Sequence, residues 1–271
     1  MKDEFFTLSN GVQIPKIGFG TWLIEQEKVK KPVLEALEVG YRHIDSAEGY
    51  GNEVGVGQAV RESGLARKEV FVTTKLRAEF KTYQESVDAI NKSLNDLDID
   101  YIDLMIIHAP KPWGEMGNPN AQRYQEGNLE AWKALEEAYK QGKIRAIGVS
   151  NFDQNDIQNI IDNSEIAPMV NQIKIHIGNV PNDLIEYDKA HNILTEAYSP
   201  IAHGDLLANS QIALIAGNYD VTLSQLAIRY LLQLGTLPLP KTLSKEHMAD
   251  NLNVDFTISA DDMDKLNNIV G

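Results

Sequence analysis

The sequence contains no cysteine among its 271 residues. It therefore forms no disulfide bond, and it offers no thiolate as nucleophile or metal ligand. It also lacks an apolar run of the length that a transmembrane helix needs, about 18 residues or more. The first residues, Met-Lys-Asp-Glu-Phe-Phe, have neither the apolar stretch nor the small-residue cleavage site of a secretory signal. We therefore expect a soluble, cytoplasmic protein with no membrane partner.

Basic residues are scarce relative to acidic ones. The chain carries 25 Lys and Arg against 39 Asp and Glu, for a formal net charge of -14. Proteins that bind a nucleic-acid backbone need clustered basic residues, so nucleic acid is excluded as a partner, although a local basic pocket for a small phosphate is not. With 43% hydrophobic residues and no low-complexity linker, the chain is expected to form a single domain over residues 1–271.

The chain opens with a hairpin pattern and continues with repeated βα units. Asn10-Gly11, typical of a tight turn, separates the extended stretches 5–8 and 12–14. Short apolar runs then alternate with helical patterns. The predicted strands are 16–22, 43–45, 70–75, 102–108, 146–150, 169–173, 193–198 and 237–240. The predicted helices are 27–39, 54–62, 82–97, 128–141, 154–161, 182–191, 210–217, 222–233, 245–251 and 260–269.

Eight βα units in about 250 residues favour a closed barrel over an open doubly wound sheet, which is the alternative fold. The dinucleotide fingerprint that would favour the open sheet is missing. Gly18-Phe19-Gly20 lacks the third glycine, and Gly55-Val56-Gly57 lies inside a predicted helix. The expected fold is therefore α/β, a (β/α)8 TIM barrel with an N-terminal β-hairpin. Its longest loop, 110–127, is expected to be functional.

Polar side chains end three neighbouring predicted strands. Asp45, Lys75 and His108 close the second, third and fourth strands, and Tyr50 follows Asp45 by five positions. In a barrel these C-terminal strand ends converge on one face, the mouth. A buried Lys75 needs a partner, and Asp45 is the available carboxylate. A nearby lysine also favours the tyrosinate form, which predicts that Tyr50 delivers a proton to a developing alkoxide.

Other interpretations of these residues stay open on residue type alone. An isolated Asp-Lys pair is more often structural than catalytic, and a lone histidine at a strand end is more often part of a core. A metal-dependent barrel hydrolase would use His43, Asp45 and His108, but no HxH pair or carboxylate cluster joins them. A nucleotide-binding regulatory or sensor barrel with little turnover would keep the fold without the chemistry.

Seven segments together resemble the aldo-keto reductases, in order and over nearly the whole chain. The segments are GYRHIDSAEGYGNE, VTTKL, LMIIHAP, KIRAIGVSNF, VNQI, EAYSP and LPKTLSKEHMADN. The resemblance implies a barrel that reduces aldehydes, ketones or dicarbonyls with NADPH, or alternatively NADH, and without a metal. It implies that Tyr50 is the general acid, that Lys75 and Asp45 lower its pKa, and that His108 orients the substrate carbonyl.

The resemblance also implies a set of cofactor contacts. Residues matching Ser150, Asn151 and Gln172 hydrogen-bond the nicotinamide carboxamide, and the residue matching Tyr198 stacks on the ring. The segment after the eighth strand matches the binding site of the adenosine 2′-phosphate, but His247 stands where many relatives have arginine, and a neutral imidazole holds a phosphate less well. The remaining expected contacts are Thr21, Ser199, Lys241, Thr242 and Asn251.

Departures from the family pattern concern the substrate pocket. Ala109 and Gly49 stand where larger residues are common, which predicts a wide pocket, with Trp22 and Trp113 as its apolar walls. Glu48 is expected to disfavour anionic substrates if it faces inward. The chain ends soon after its last helix, so we expect an open site for a small carbonyl compound. The protein is expected to be a monomer or a weak homodimer.

Overall fold

An eight-stranded parallel sheet forms the centre of the protein. The structure is a computed structural model that describes residues 4–118, 120–202, 204, 206 and 209–269. An antiparallel hairpin of β1 (Phe5–Thr7) and β2 (Gln13–Pro15) precedes the sheet. The strands of the sheet are β3 (Phe19–Gly20), β4 (His43–Asp45), β5 (Phe71–Leu76), β6 (Ile102–Ile107), β7 (Ile144–Ser150), β8 (Val170–Lys174), β9 (Leu194–Tyr198) and β10 (Leu237–Leu239). Each strand pairs with the next one along the chain.

The sheet closes on itself between its first and last strands. The amide of Gly18 donates to the carbonyl of Pro238 at 3.1 Å, and the amide of Gly20 donates to that of Pro240 at 3.0 Å. Pro238 made the eighth strand a weak prediction, because proline cannot donate to a ladder. In the structure the Pro238 carbonyl lies on this closing seam. The predicted (β/α)8 barrel is confirmed, and the open doubly wound sheet is excluded.

Helices surround the barrel and follow the strands in turn. They are α1 (Gln26–Val39), α2 (Glu53–Glu62), α3 (Tyr83–Leu97), α4 (Gln125–Lys140), α5 (Gln154–Asn163), α6 (Asn182–Ala190), α7 (Ser210–Asn218), α8 (Leu223–Gln233), α9 (Lys245–Leu252) and α10 (Ala260–Asn267). Capping boxes begin two of them. Thr82 and Glu85 exchange hydrogen bonds at the start of α3, and Thr222 and Gln225 do so at the start of α8. Within the described ranges, no helix is both long and apolar enough to span a bilayer.

Two predicted elements differ from the structure by three residues at one end, and the others differ by two residues or fewer. The first barrel strand covers only Phe19–Gly20, not 16–22, and Leu23 then turns the chain with a φ of 60°. Helix α4 begins at Gln125, three residues before the prediction, and its Gly127 packs closely against Lys81, a tertiary contact that local sequence patterns do not contain.

The glycines of the Gly55-Val56-Gly57 segment serve helix packing. They lie inside α2, as expected. A Cβ atom on Gly57 would lie 1.8 Å from the carbonyl oxygen of Leu97, the last residue of α3. The absence of a side chain therefore lets the two helices approach closely, and this explains the motif without a nucleotide.

The hairpin lies at the end of the barrel opposite the mouth. Ile14 of β2 is fully buried, and Leu8 is nearly so. The side-chain amide of Asn10, at the turn, donates to the carbonyl of Arg145 near the start of β7 at 2.9 Å. Since the start of β7 is the N-terminal end of a barrel strand, the hairpin covers the floor and leaves the mouth open to ligands.

Candidate active site

Four side chains meet at the mouth, as the strand-end pattern predicts. Asp45 ends β4, Lys75 lies near the end of β5, His108 directly follows β6, and Tyr50 ends the 3-10 turn Glu48–Tyr50. The Nζ atom of Lys75 donates to both carboxylate oxygens of Asp45, at 2.8 and 2.7 Å. It also lies 3.4 Å from the hydroxyl of Tyr50. The structure therefore assembles Tyr50, Lys75 and Asp45 into one chain of contacts.

Burial governs the ionisation of this chain. Lys75 is 0% exposed, and burial alone would lower its pKa. The charge of Asp45, assisted by Tyr50, outweighs burial and raises the pKa of Lys75 above its ordinary value. Burial also raises the pKa of Tyr50, and the positive charge of Lys75 offsets this only in part. Lys75 thus lowers the pKa of Tyr50 as expected, but burial and the charge of Asp45 outweigh it, so Tyr50 holds its proton at neutral pH.

His108 contacts Tyr50 and Trp113 and is neutral. Its ring centroid lies 5.6 Å from that of Tyr50 and 5.1 Å from that of Trp113, both in edge-to-face geometry. Burial, reinforced by the charge of Lys75, lowers the pKa of His108 to about 2. Its Nδ1 atom is buried and has no hydrogen-bond partner among the described residues. A neutral imidazole has one N–H group, which can donate a hydrogen bond to a carbonyl oxygen while the ring stays uncharged.

Four of the expected cofactor residues form one connected group beside His108. The hydroxyl of Ser150 donates to the backbone carbonyl of Gln172 at 2.7 Å. The Asn151 amide donates to the carbonyl of His108 at 3.2 Å and to Ser150 Oγ at 3.1 Å. The hydroxyl of Tyr198 donates to Asn151 Oδ1 at 2.9 Å. These contacts hold Tyr198 against the ends of β7 and β8, at the same mouth as the catalytic candidates.

The Gln172 side chain joins this group to Asp45 and to a residue that the sequence analysis missed. Its Nε2 atom donates to Asp45 Oδ1 at 2.9 Å and to Glu196 Oε2 at 2.8 Å. Its Oε1 atom receives no hydrogen bond from the described residues, so an acceptor is available for a carboxamide N–H, and the residues present fit a nicotinamide there. Glu196 could have been found from its position, because it lies two residues before Tyr198 and shares its face of β9.

The remaining expected cofactor residues lie around the ends of β3, β9 and β10. Lys241 and His247 are exposed, and Thr242 Oγ1 accepts a hydrogen bond from the Ser244 amide at 3.1 Å. Ser244 caps α9, whose N-terminus favours an anion. Asn251, by contrast, is only 3% exposed. Thr21 is buried, with its hydroxyl on the carbonyl of Asp45, and Ser199 has a φ of 53° directly after β9.

The two tryptophans expected to form pocket walls are both partly exposed. Trp22 is 46% exposed and Trp113 44% exposed, and Trp113 contacts His108 through its ring. Glu79, on the loop after β5, accepts a hydrogen bond from the Trp113 amide at 3.1 Å and so anchors this part of the long loop. Ala109 is buried beside His108.

Glu48 does not present an unpaired charge to a substrate. Its carboxylate accepts a hydrogen bond from Arg77 Nε, and its other oxygen lies 4.0 Å from Lys92 Nζ. A Cβ atom on the neighbouring Gly49 would lie 3.9 Å from Cγ of Arg77. Arg77 is thus a second residue that the sequence analysis missed. It lies two positions after Lys75, directly after the end of β5. The pairing removes the reason to expect Glu48 to repel anionic substrates.

The metal-dependent alternative finds no ligand set in the described ranges. His43 Nε2 lies 2.9 Å from the hydroxyl of Thr73, which satisfies that nitrogen. Nowhere in the part of the chain that the structure describes do three or more His, Asp or Glu side chains group as metal ligands would.

Comparisons with known proteins agree with this geometry. The model of the Aldo/keto reductase family matches residues 16–270. Glyoxal reductase of Bacillus subtilis is 39% identical over 261 residues, which are 96% of this chain and 90% of that protein. Among solved structures, an aldo-keto reductase from a Medee basin deep-sea metagenome superposes with a TM-score of 0.89 at 38% identity, covering 96% of this chain and 93% of the other.

A second solved structure was determined with a nucleotide. The aldo-keto reductase of Bombyx mori, in complex with NADP, has a TM-score of 0.87 and 32% identity, covering 97% of this chain and 92% of that one. The relatives are oxidoreductases, and both barrel and motifs extend over almost the full length described. This chain is a member of the aldo/keto reductase family.

Proposed function

We propose that this enzyme reduces small aldehydes, ketones or dicarbonyls to alcohols with NADPH, and that Tyr50 is the general acid. One observation carries the proposal. The protonated Tyr50 hydroxyl lies 3.4 Å from a buried Lys75 ammonium that Asp45 holds through both carboxylate oxygens. The proposal includes a single catalytic domain. The cytoplasmic location and the monomeric or weakly dimeric state stay predictions from the sequence.

Tyr50 would donate its proton to the carbonyl oxygen as negative charge develops there. The tyrosinate that remains is stabilised by Lys75, because an opposite charge within a few ångströms in a buried site is only weakly screened. Asp45 keeps Lys75 charged in spite of its complete burial. His108, neutral and in edge contact with Tyr50, would orient the carbonyl by donating a hydrogen bond to its oxygen.

When bound, NADPH supplies the hydride that reduces the carbonyl carbon. Gln172 Oε1 and the Ser150–Asn151 pair would hold the nicotinamide carboxamide, and the ring of Tyr198 would support the nicotinamide face. Lys241, Thr242 and the first turn of α9 would bind the 2′-phosphate through charge and backbone N–H groups. The NADP complex of the Bombyx mori relative supports the choice of cofactor. NADH is the weaker alternative.

The substrate class follows from the pocket and from a relative. The residues next to Tyr50 and His108 in the chain are the small Gly49 and Ala109, and the tryptophans proposed as pocket walls, Trp22 and Trp113, are nearly half exposed. A relative that is 39% identical is described as a glyoxal reductase, which supports small aldehydes and dicarbonyls as substrates of this chain.

The test is oxidation of NADPH and of NADH, followed by near-ultraviolet absorbance, with a panel of aldehydes, ketones and dicarbonyls. Tyr50→Phe is expected to lower kcat by about 10²- to 10⁴-fold, which is the usual contribution of a general acid. Cofactor affinity, measured by quenching of tryptophan fluorescence, should change by less than about twofold, because Tyr50 is not a cofactor contact.

Tyr83→Phe is the matched control, since Tyr83 lies on α3 outside the barrel and hydrogen-bonds Glu137. It should leave kcat unchanged. Turnover by Tyr50→Phe within tenfold of the wild type would reject Tyr50 as the acid. A wild-type protein that binds NADPH but reduces no compound in the panel would favour the sensor alternative.

A further inference from the structure

A buried carboxyl group inside the barrel has no part in the chemistry above. Glu196, on β9, is 0% exposed and pairs in register with Gln172 of β8. Its Oε2 atom accepts the 2.8 Å hydrogen bond from Gln172 Nε2. Its Oε1 atom is buried without a hydrogen-bond partner in the described ranges. A buried ionised carboxylate with one hydrogen bond is costly, so this group calls for an explanation.

Glu196 and Asp45 together determine which way the Gln172 amide faces. The amide nitrogen carries two hydrogens, and the two hydrogen bonds to Asp45 Oδ1 and Glu196 Oε2 use both of them. Rotating the amide by half a turn would place its oxygen against two carboxyl groups. The Oε1 atom is therefore kept away from them, in the orientation that leaves it available as an acceptor.

The surroundings of Glu196 favour its uncharged form. Burial, reinforced by the negative charge of Asp45, raises the pKa of Glu196 to about 8, and the Gln172 hydrogen bond and the charge of Lys75 act in the opposite direction. The charged groups facing it are Asp45 of β4 and Lys75 of β5. The strands on either side contribute uncharged neighbours, Gln172 of β8 and Leu237 of β10.

We propose that Glu196 is a positioning residue of the reductase, which as a neutral carboxyl orients Gln172 toward the nicotinamide carboxamide and leaves Lys75 balanced by Asp45 alone. The proposal rests on the proposed function for its catalytic part. An ionised Glu196 would add a second negative charge beside the Asp45–Lys75 pair. That charge would oppose the negative charge that develops on Tyr50, so turnover should fall as the pH rises through the pKa of Glu196.

Two substitutions separate orientation from ionisation. Glu196→Gln keeps an acceptor for Gln172 and stays uncharged at every pH, whereas Glu196→Leu removes the acceptor. We expect Glu196→Gln to bind NADPH within about twofold of the wild type and to match its kcat at pH 7 within about threefold. We expect Glu196→Leu to weaken NADPH binding about tenfold, a loss typical of one misplaced hydrogen-bonding group.

The pH profile supplies the second measurement. Between pH 7 and 9.5 the wild-type kcat should fall about tenfold, and Glu196→Gln should abolish that fall. Asp188→Asn is the matched control, because Asp188 is another buried acid, with a pKa raised by burial to about 7, but it lies on α6 and bonds Asn171 and Thr195 outside the barrel. This control should leave the alkaline fall in kcat intact.

Stability gives a measurement that needs no turnover. The folded-state pKa of Glu196 lies above its unfolded value, so the contribution of Glu196 to stability is fully present below the unfolded value and is lost as the pH rises toward 8. The melting temperature of Glu196→Gln should therefore exceed that of the wild type by a margin that grows from pH 5 to pH 9. A constant margin, together with an unchanged alkaline fall in Glu196→Gln, would overturn the proposal.

The outcomes also distinguish this proposal from the function it builds on. If the wild type reduces no carbonyl compound, the proposed function fails, yet NADPH affinity and the pH dependence of stability still decide the role of Glu196. If Glu196→Leu does not fold, the two pH series of Glu196→Gln decide it. Wild-type NADPH affinity in a folded Glu196→Leu would overturn the assignment to Gln172 orientation.

Discussion

The buried pair of Lys75 and Asp45 gives the sharpest prediction about stability. Lys75 is 0% exposed and Asp45 5% exposed. In Asp45→Asn the ammonium group would keep its hydrogen bond to the Ser46 carbonyl, 2.7 Å away, but would lose its counter-charge. Removing one partner of a buried ion pair typically costs about 3–5 kcal/mol, and we expect that loss of unfolding free energy here. Out of a typical total of about 5–15 kcal/mol, this is a large fraction.

The double variant Asp45→Asn with Lys75→Met should recover most of the loss. Replacing a buried pair by uncharged groups of similar volume is often neutral, so we expect the double variant to lie within about 2 kcal/mol of the wild type. The coupling energy between the two positions should then exceed about 2 kcal/mol. Asp45→Asn, Lys75→Met and the double variant should all lack turnover. The two that carry Lys75→Met lose the charge that stabilises the tyrosinate, and Asp45→Asn loses the carboxylate that keeps Lys75 charged. Stability and catalysis therefore separate.

Urea unfolding followed by tryptophan fluorescence measures the free energy of unfolding of the wild type, the two single variants and the double variant. Equal m-values, the slopes of these free energies against urea concentration, check that the unfolding reaction is unchanged. A loss below about 1 kcal/mol in Asp45→Asn, or simple additivity of the two single changes, would refute the reasoning. Either result would mean that water or another group compensates the Lys75 charge, and that Asp45 is not what keeps the lysine protonated.

Two further predictions concern packing and cofactor choice. Gly57→Ala should destabilise the protein by about 3 kcal/mol, because its Cβ would lie 1.8 Å from a backbone oxygen of α3. Gly217→Ala in α7, where a Cβ meets nothing within 4 Å, should be neutral or slightly stabilising; equal effects of the two in thermal denaturation would contradict the packing explanation. His247→Arg should tighten NADPH binding about fivefold with no change for NADH, as measured by fluorescence titration. An equal gain for both cofactors would remove His247 from the phosphate site.

Much of the site could be predicted because the side chains of a strand alternate between its two faces, and this alternation can be read from neighbouring residues in the sequence. Alternation placed Asp45 and Lys75 at strand ends, and the parallel βα pattern implied that those ends share one face. The loop containing Trp113 was expected to be functional from its length, and its ring contacts His108. The motif resemblance then assigned roles that residue type alone left open between catalysis and structure.

Other features depend on distances that no local pattern contains. Glu48 looked like a free carboxylate until Arg77 was placed beside it. In the sequence, Glu196 is only a member of the EAYSP segment. In the structure it accepts a hydrogen bond from the side-chain amide of Gln172, which also donates to Asp45. Both partners are distant from Glu196 along the chain. The pKa of Tyr50 was expected to fall because a lysine was near, but burial has the larger effect.

By itself, the sequence determined the order of strands and helices, the barrel, the family and the residue types at the strand ends, because periodicity and short motifs are encoded along the chain. Only the tertiary structure decided the charge state of the groups at the mouth. Ionisation depends on burial and on partners from several strands at once, and these are brought together only when the barrel closes. Glu196 is the clearest case, since its sequence neighbours say nothing about the carboxylate of Asp45, whose charge, with burial, raises its pKa.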